Sequence, residues 1–122
     1  MREILFRGKC GRNGDEWIEG GIAFGYFVEG DVCILSACGS VLSVYPETVG
    51  QYTGLTDKNG KKIFEGDIVR ADNGHISKVV FWYGGFSLYC ECHKQHTDFI
   101  PKDIIEILGN IHDNPELLKE KE

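Results

Sequence analysis

Val49-Gly50-Gln51-Tyr52-Thr53-Gly54-Leu55-Thr56-Asp57-Lys58-Asn59-Gly60-Lys61-Lys62-Ile63-Phe64-Glu65-Gly66-Asp67-Ile68-Val69 is the stretch that decides the fold. It reads as a strand, a turn and a strand. Gln51, Thr53 and Leu55 alternate with Tyr52 and Gly54, the period of two of an extended chain. Asp57-Lys58-Asn59-Gly60 interrupts that pattern, and Asn-Gly supplies the positive φ angles of a tight hairpin turn. Ile63-Phe64 resumes an apolar strand. Glu65-Gly66-Asp67 then punctuates the chain before Ile68-Val69. A Gly-Asp pair ahead of a β-branched run suits a sharp bend into a small-barrel strand, where glycine lets the backbone turn. Turn and packing roles account for the whole block. Asp67 is its one candidate site residue, and nothing beside it forms a constellation.

Outward from this block, the chain continues as short strands. Ile4-Leu5-Phe6 reads as a first strand, Gly11-Arg12-Asn13-Gly14 as a turn, and Trp17-Ile18 as the start of the return. Ile22 to Val28 is β-rich and is broken by Glu29-Gly30-Asp31. Val32 to Leu35 and Val41 to Tyr45 follow, and Pro46 confines the latter to an edge or an end. No helical period of 3.6 occurs in this half. In the other direction, Ile76 to Tyr83 is the longest β-type run. Gly84-Gly85 turns it into Phe86 to Cys92, a favoured two-residue loop between apolar runs. Phe99-Ile100 precedes Pro101, and Asp103 to Leu108 reads as a strand or a single helical turn. Asn114 has the form of an N-cap, with Pro115 at the first helical position and Leu117-Leu118 available to pack in a short helix.

Composition sets the bounds. At 122 residues with 42% hydrophobic content, the chain suits one domain or two small halves with a modest core. Sixteen Gly against 3 Pro fit many short strands joined by glycine turns. The net charge of −6 repels phosphate backbones unless the basic residues cluster. The 13 Lys and Arg are scattered, and their densest run, Lys58, Lys61 and Lys62, lies on the expected hairpin, where a solvated turn explains it. No apolar run of about 7–15 residues follows Met1-Arg2-Glu3, as a leader would need. None approaches the ~20 residues of a membrane span. A cytoplasmic location is therefore expected. Five cysteines, an odd number, then read as thiols rather than a disulfide frame.

Three segments, in order, resemble the YopX family of phage and prophage proteins. The first is Phe6-Arg7-Gly8-Lys9, followed by Asn13-Gly14-Asp15-Glu16-Trp17. The second runs from Pro46-Glu47-Thr48 through Leu55, then Asp57, Asn59-Gly60 and Ile63 to Val69. The third is Ile107-Leu108-Gly109-Asn110-Ile111-His112-Asp113-Asn114-Pro115-Glu116-Leu117-Leu118. The resemblance implies a bacteriophage or prophage gene, a bacterial host cell, a β-rich fold and no established activity. The stretch from Ala71 to Pro101 matches little beyond its strand pattern.

That stretch holds Cys90, Cys92, His93 and His96, the one cluster that invites a metal reading. Zinc takes four Cys or His ligands in a tetrahedron. On a strand, Cys90 and Cys92 share a face and His93 points away, which is cramped for one ion. Leu88, Cys90 and Cys92 equally form the inward face of a strand, since a thiol packs as a small hydrophobe. A nucleophilic cysteine needs a nearby basic histidine, and Cys92 with His93 or His96 is the only local pair. Gly8-Lys9-Cys10-Gly11 lacks P-loop spacing. Phe81, Trp82, Tyr83, Phe86 and Tyr89 flank the Gly84-Gly85 turn. They read as core packing with one or two exposed rings, able to stack on bases or to anchor a protein.

The expected fold is mainly β: two small antiparallel subassemblies, residues 1–48 and 49–122, or one compact domain. The second is SH3-like or barrel-like, with a short C-terminal helix. The expected function is that of a non-catalytic phage or prophage accessory protein acting through protein contacts with a phage, host or identical chain. A small-barrel nucleic-acid binder is the alternative, and an enzyme ranks third. No catalytic residue, cofactor or metal is expected, nor any membrane association; a homo-oligomer is compatible with the many strand edges.

Overall fold

A computed structural model of the chain describes residues 3–11, 16–71, 74–91, 93–98 and 105–119. The expected turn at Arg12-Asn13-Gly14, the candidate ligand Cys92, the Phe99-Ile100-Pro101 segment, Asp103-Ile104 and residues 120–122 lie outside them. The chain forms two compact units, Met1–Tyr52 and Thr53–Glu122. The sequence divides after Thr48; the units divide inside a strand, β5 (Gly50–Thr56).

The first unit is an antiparallel meander of β1 (Phe6–Cys10), β2 (Glu16–Phe24), β3 (Val32–Ser36) and β4 (Val41–Ser43), in the order β4-β3-β2-β1. Phe6 and Arg7 of β1 pair with Gln51 and Gly50 at the start of β5. Its core joins Cys10, Ile34 and Val44, with Phe6, Ile18 and Leu42 packed alongside. Gly8 sits in β1 because Val44 lies against it: a Cβ there would stand 2.8 Å from Val44 Cγ2. Pro46–Thr48 is one 3-10 turn. Thr48 Oγ1 closes it, donating to the Tyr45 carbonyl at 2.6 Å and accepting the Lys9 N–H at 2.8 Å. The Pro-Glu-Thr motif is thus a structural clasp.

The second unit holds the rest of β5 with β6 (Lys62–Phe64), β7 (Asp67–Ala71), β8 (Ile76–Trp82), β9 (Gly85–Cys90), β10 (Gln95–Asp98) and β11 (Ile105–Asn110). The last five form an antiparallel sheet in the order β10-β9-β8-β7-β11. A four-strand meander whose first member takes up the final strand is an SH3-like order. Asp103 to Leu108, open between strand and helical turn in the sequence, is strand from Ile105 onward. Ile63, Val69, Val79, Leu88 and Ile105 form the core, each at most 2% exposed, and Ile68 is fully buried.

Both turns differ in detail from expectation. At the first, Gly60 has φ 82° while Asn59 stays at negative φ. The Asp57 N–H donates to the Lys61 carbonyl at 2.8 Å, and the Gly60 N–H to the Asp57 carbonyl at 3.0 Å. This is a three-residue loop closed by a left-handed glycine, not a two-residue Asn-Gly loop. At the second, Trp82 pairs with Gly85, so the loop is Tyr83-Gly84 rather than Gly84-Gly85. Both central residues have positive φ, 51° and 77°, as a type I′ turn requires. The core sets this register: Val79 pairs with Leu88, and a one-residue slip would turn a buried side chain outward.

The expected C-terminal helix is only a 3-10 turn, Pro115–Lys119. The Asn114 carbonyl accepts the Leu117 N–H at 3.0 Å, while its side-chain oxygen turns back to the Asn110 N–H at 3.2 Å. Among the described residues, no helix is long and apolar enough to cross a membrane.

Candidate functional site

Two features of the second unit bear on function, and β8, β9 and β10 build both. Along β9, Leu88 and Cys90 point inward, while Ser87 and Tyr89 share the outer face with Trp82 of β8 and His96 of β10.

The inner feature is a cavity of about 350 Å³ whose lining includes His75, Ser77, Leu88, Cys90, His93 and Thr97. His75 closes the loop between β7 and β8, where its carbonyl accepts the Ala71 N–H at 3.0 Å. Cys90 ends β9 and is 8% exposed. His93 stands in the turn into β10 and is exposed. Its Nδ1 lies 3.5 Å from Cys90 Sγ. The His75 and His93 rings meet edge to face, 4.7 Å between centroids. One ligand-type atom from each of the three residues falls within 4.8 Å of the others. In the same turn Lys94 holds φ 52°, an uncommon backbone for a side chain of its kind.

Of the residues grouped in the sequence, the structure brings Cys90 and His93 together and separates His96. Gln95, not His96, pairs with Cys90, which places His96 on the opposite face. Its ring stacks on Trp82 at 3.7 Å and 6°, and its Nδ1 lies 3.2 Å from Ser87 Oγ. The sequence reading misses His75. The β8–β9 hairpin carries the signal: continuing its ladder from Lys78↔Tyr89 brings position 77 beside Cys90 and His75 just beyond it. Asp67, the candidate within the central block, is 2% exposed and accepts the Phe64 N–H at 2.8 Å. Its role is to hold a turn.

The outer feature is aromatic. Trp82 and Tyr83 are 45% and 89% exposed at the hairpin tip, and Phe81, which its pairing with Phe86 puts on the inner face, is 55% exposed there. Trp82 and Tyr83 lie 4.3 Å apart, and Tyr89 approaches His96 at 4.7 Å. The Lys78 ammonium lies 5.6 Å from the Tyr89 ring centroid and 3.3 Å from the Glu91 carboxylate. The expectation of one or two exposed rings is exceeded.

The first unit has its own exposed apolar segment. The strand expected over Ile22 to Val28 stops at Phe24, and Phe24, Tyr26, Phe27 and Val28 are each more than half exposed. Asp31 Oδ2 folds this loop by accepting the Phe27 and Val28 N–H groups at 3.2 and 3.3 Å. Burial, and then the Asp31 charge, push the neighbouring Cys33 thiol pKa up. At the β3–β4 turn the exposed Cys38 behaves oppositely: the Ser36 and Ser40 hydroxyls lower its pKa to about 7.

The YopX protein family matches the chain over residues 27–119, which span both features. The crystal structure of protein EF1440 from Enterococcus faecalis is similar across 97% of this chain and 99% of its own, with a TM-score of 0.59 and 23% identity. At that identity the likeness is one of fold. No curated protein matches the chain.

Proposed function

Because the chain belongs to the YopX family, we propose that it is a non-catalytic phage or prophage accessory protein that binds a protein partner in the bacterial cytoplasm. The exposed ring surface of Trp82 and Tyr83, continued by His96, carries this reading. Trp and Tyr are the residues that most often dominate protein interfaces, because each covers a large area with few rotors to immobilise. Tyr83 extends 89% of its surface into solvent from a two-residue turn, so no core packing explains its ring.

A nucleic-acid binder would use the same rings for stacking but would need cations beside them. Lys78, on the same outer face, is already paired with Glu91. The net charge of −6 opposes phosphate as well.

The test compares the wild-type protein with Trp82→Ala/Tyr83→Ser in cross-linking pull-downs from phage-infected host cells. A protein captured by the wild type and lost by the variant is expected. Single-stranded DNA and RNA titrations at low salt form the second arm, with no quenching of tryptophan fluorescence expected. Quenching that disappears in the variant would replace the protein-contact reading with base stacking.

A further inference from the structure

His75, Cys90 and His93 have the chemistry and spacing of a three-ligand transition-metal site. Zinc bonds thiolate sulfur at about 2.3 Å and imidazole nitrogen at about 2.0–2.1 Å. A tetrahedral angle between such bonds separates sulfur from nitrogen by about 3.6 Å and two nitrogens by about 3.3 Å. Cys90 Sγ and His93 Nδ1 already stand 3.5 Å apart. The third donor lies within 4.8 Å, so a rotamer adjustment of roughly an ångström, small on the scale of side-chain motion, completes the triad. The expectation of no metal rests on the cramped Cys90-x-Cys92 spacing. His75, from a different loop, removes that objection.

We propose that His75, Cys90 and His93 bind one zinc-class divalent ion, leaving the fourth tetrahedral position open. One thiolate and two imidazoles form a borderline-soft set that suits zinc or cobalt and disfavours magnesium and calcium, which take oxygen. On binding, the Cys90 thiol loses its proton to solvent and its sulfur donates an electron pair; both imidazoles bind neutral. The bound ion keeps a net charge of +1, and water takes the open position from the cavity. Metal uptake therefore releases a proton and weakens as pH falls.

The donors belong to three separate backbone segments: the β7–β8 loop, the end of β9 and the β9–β10 turn. One ion would fasten all three. It would also hold the turn containing Lys94 and secure β10, which lies at the edge of its sheet. This inference is independent of the partner-binding proposal, which concerns the opposite face of the same strands.

Cobalt(II) titration of the full chain under reducing conditions provides the test. The wild type is expected to take up one cobalt with the intense visible absorption of a tetrahedral site and a thiolate-to-cobalt charge-transfer band. Zinc should displace it and raise the melting temperature. Cys90→Ser should lose the charge-transfer band, and His75→Ala and His93→Ala should each weaken binding at least tenfold. Cys38→Ser should change nothing. No charge-transfer band in the wild type and no melting shift with zinc would overturn the proposal, leaving a thiol–imidazole contact. A band that survives in both histidine variants would overturn it too. If Cys90→Ser does not fold, His93→Asn, altered at an exposed position, decides by the same comparison.

Discussion

The Asp57 carboxylate accepts the Ile107 N–H at 3.0 Å, across 50 positions of sequence. Its other oxygen accepts the N–H groups of Asn59 and Lys61, both at 2.9 Å. One buried side chain thus folds its own turn and fastens it to β11.

Asp57→Ala should destabilise the protein by on the order of 3 kcal/mol, since three backbone donors lose a charged acceptor. Burial by itself would raise the Asp57 pKa; the Ile107, Lys61 and Asn59 N–H groups and the Lys61 charge outweigh it and hold it below the ordinary 3.8. A carboxyl depressed on folding stabilises fully above its unfolded pKa and loses that contribution as pH falls through the folded value. Urea midpoints measured from pH 6 down through 3.8 should fall in the wild type and fall less in Asp57→Asn. Parallel acid limbs would rule this role out.

Gly60→Val places a β-branched side chain at φ 82° and should cost on the order of 1 kcal/mol or more. Ile68→Ala empties a fully buried site and should cost roughly 2–5 kcal/mol. Denaturant midpoints report both. If neither moves, the central block is kept for binding rather than packing.

The positive φ of Gly60 and the burial of Ile68 are legible in the sequence because turn chemistry and β-branched burial are local. Gly60 and the buried Ile68-Val69 pair follow from neighbours a few positions away. The sequence places the β8–β9 loop one residue late, because Gly84-Gly85 announces a turn while the facing pair Val79 and Leu88 sets the register. Asp57 reads as a turn former, yet its bond to Ile107 depends on how a distant strand returns. His75 is not legible for the same reason: its distance from Cys90 collapses only after the hairpin is paired.

Association, where it occurs, should run through strand edges rather than the tail, because unpaired edges are the adhesive element of a β protein. Removing residues 114–122 should leave the number of chains per particle, read from the light-scattering mass, unchanged. Stability should fall by about 1 kcal/mol, since the Asn110 N–H loses its Asn114 acceptor. Loss of assembly on truncation would assign it to the tail.

Among the described cysteines, Cys38 should be the first thiol to react. Its thiolate is half formed near pH 7, held by the Ser36 and Ser40 hydroxyls, whereas Cys33 is buried and its pKa is raised. Mass-spectrometric alkylation against pH should give a midpoint near 7 for Cys38, moving toward the ordinary 9.0 in Ser36→Ala/Ser40→Ala. A midpoint that ignores both serines would contradict this.

Tyr83 occupies left-handed backbone at φ 51°, a conformation that Asn or Gly adopts at less cost, by about 1 kcal/mol. Laboratory evolution for heat resistance alone would therefore drift away from tyrosine at this position. Its progeny would melt later and carry a blank hairpin tip. A pool evolved for thermal tolerance and one evolved for the partner binding proposed above should diverge first at this codon.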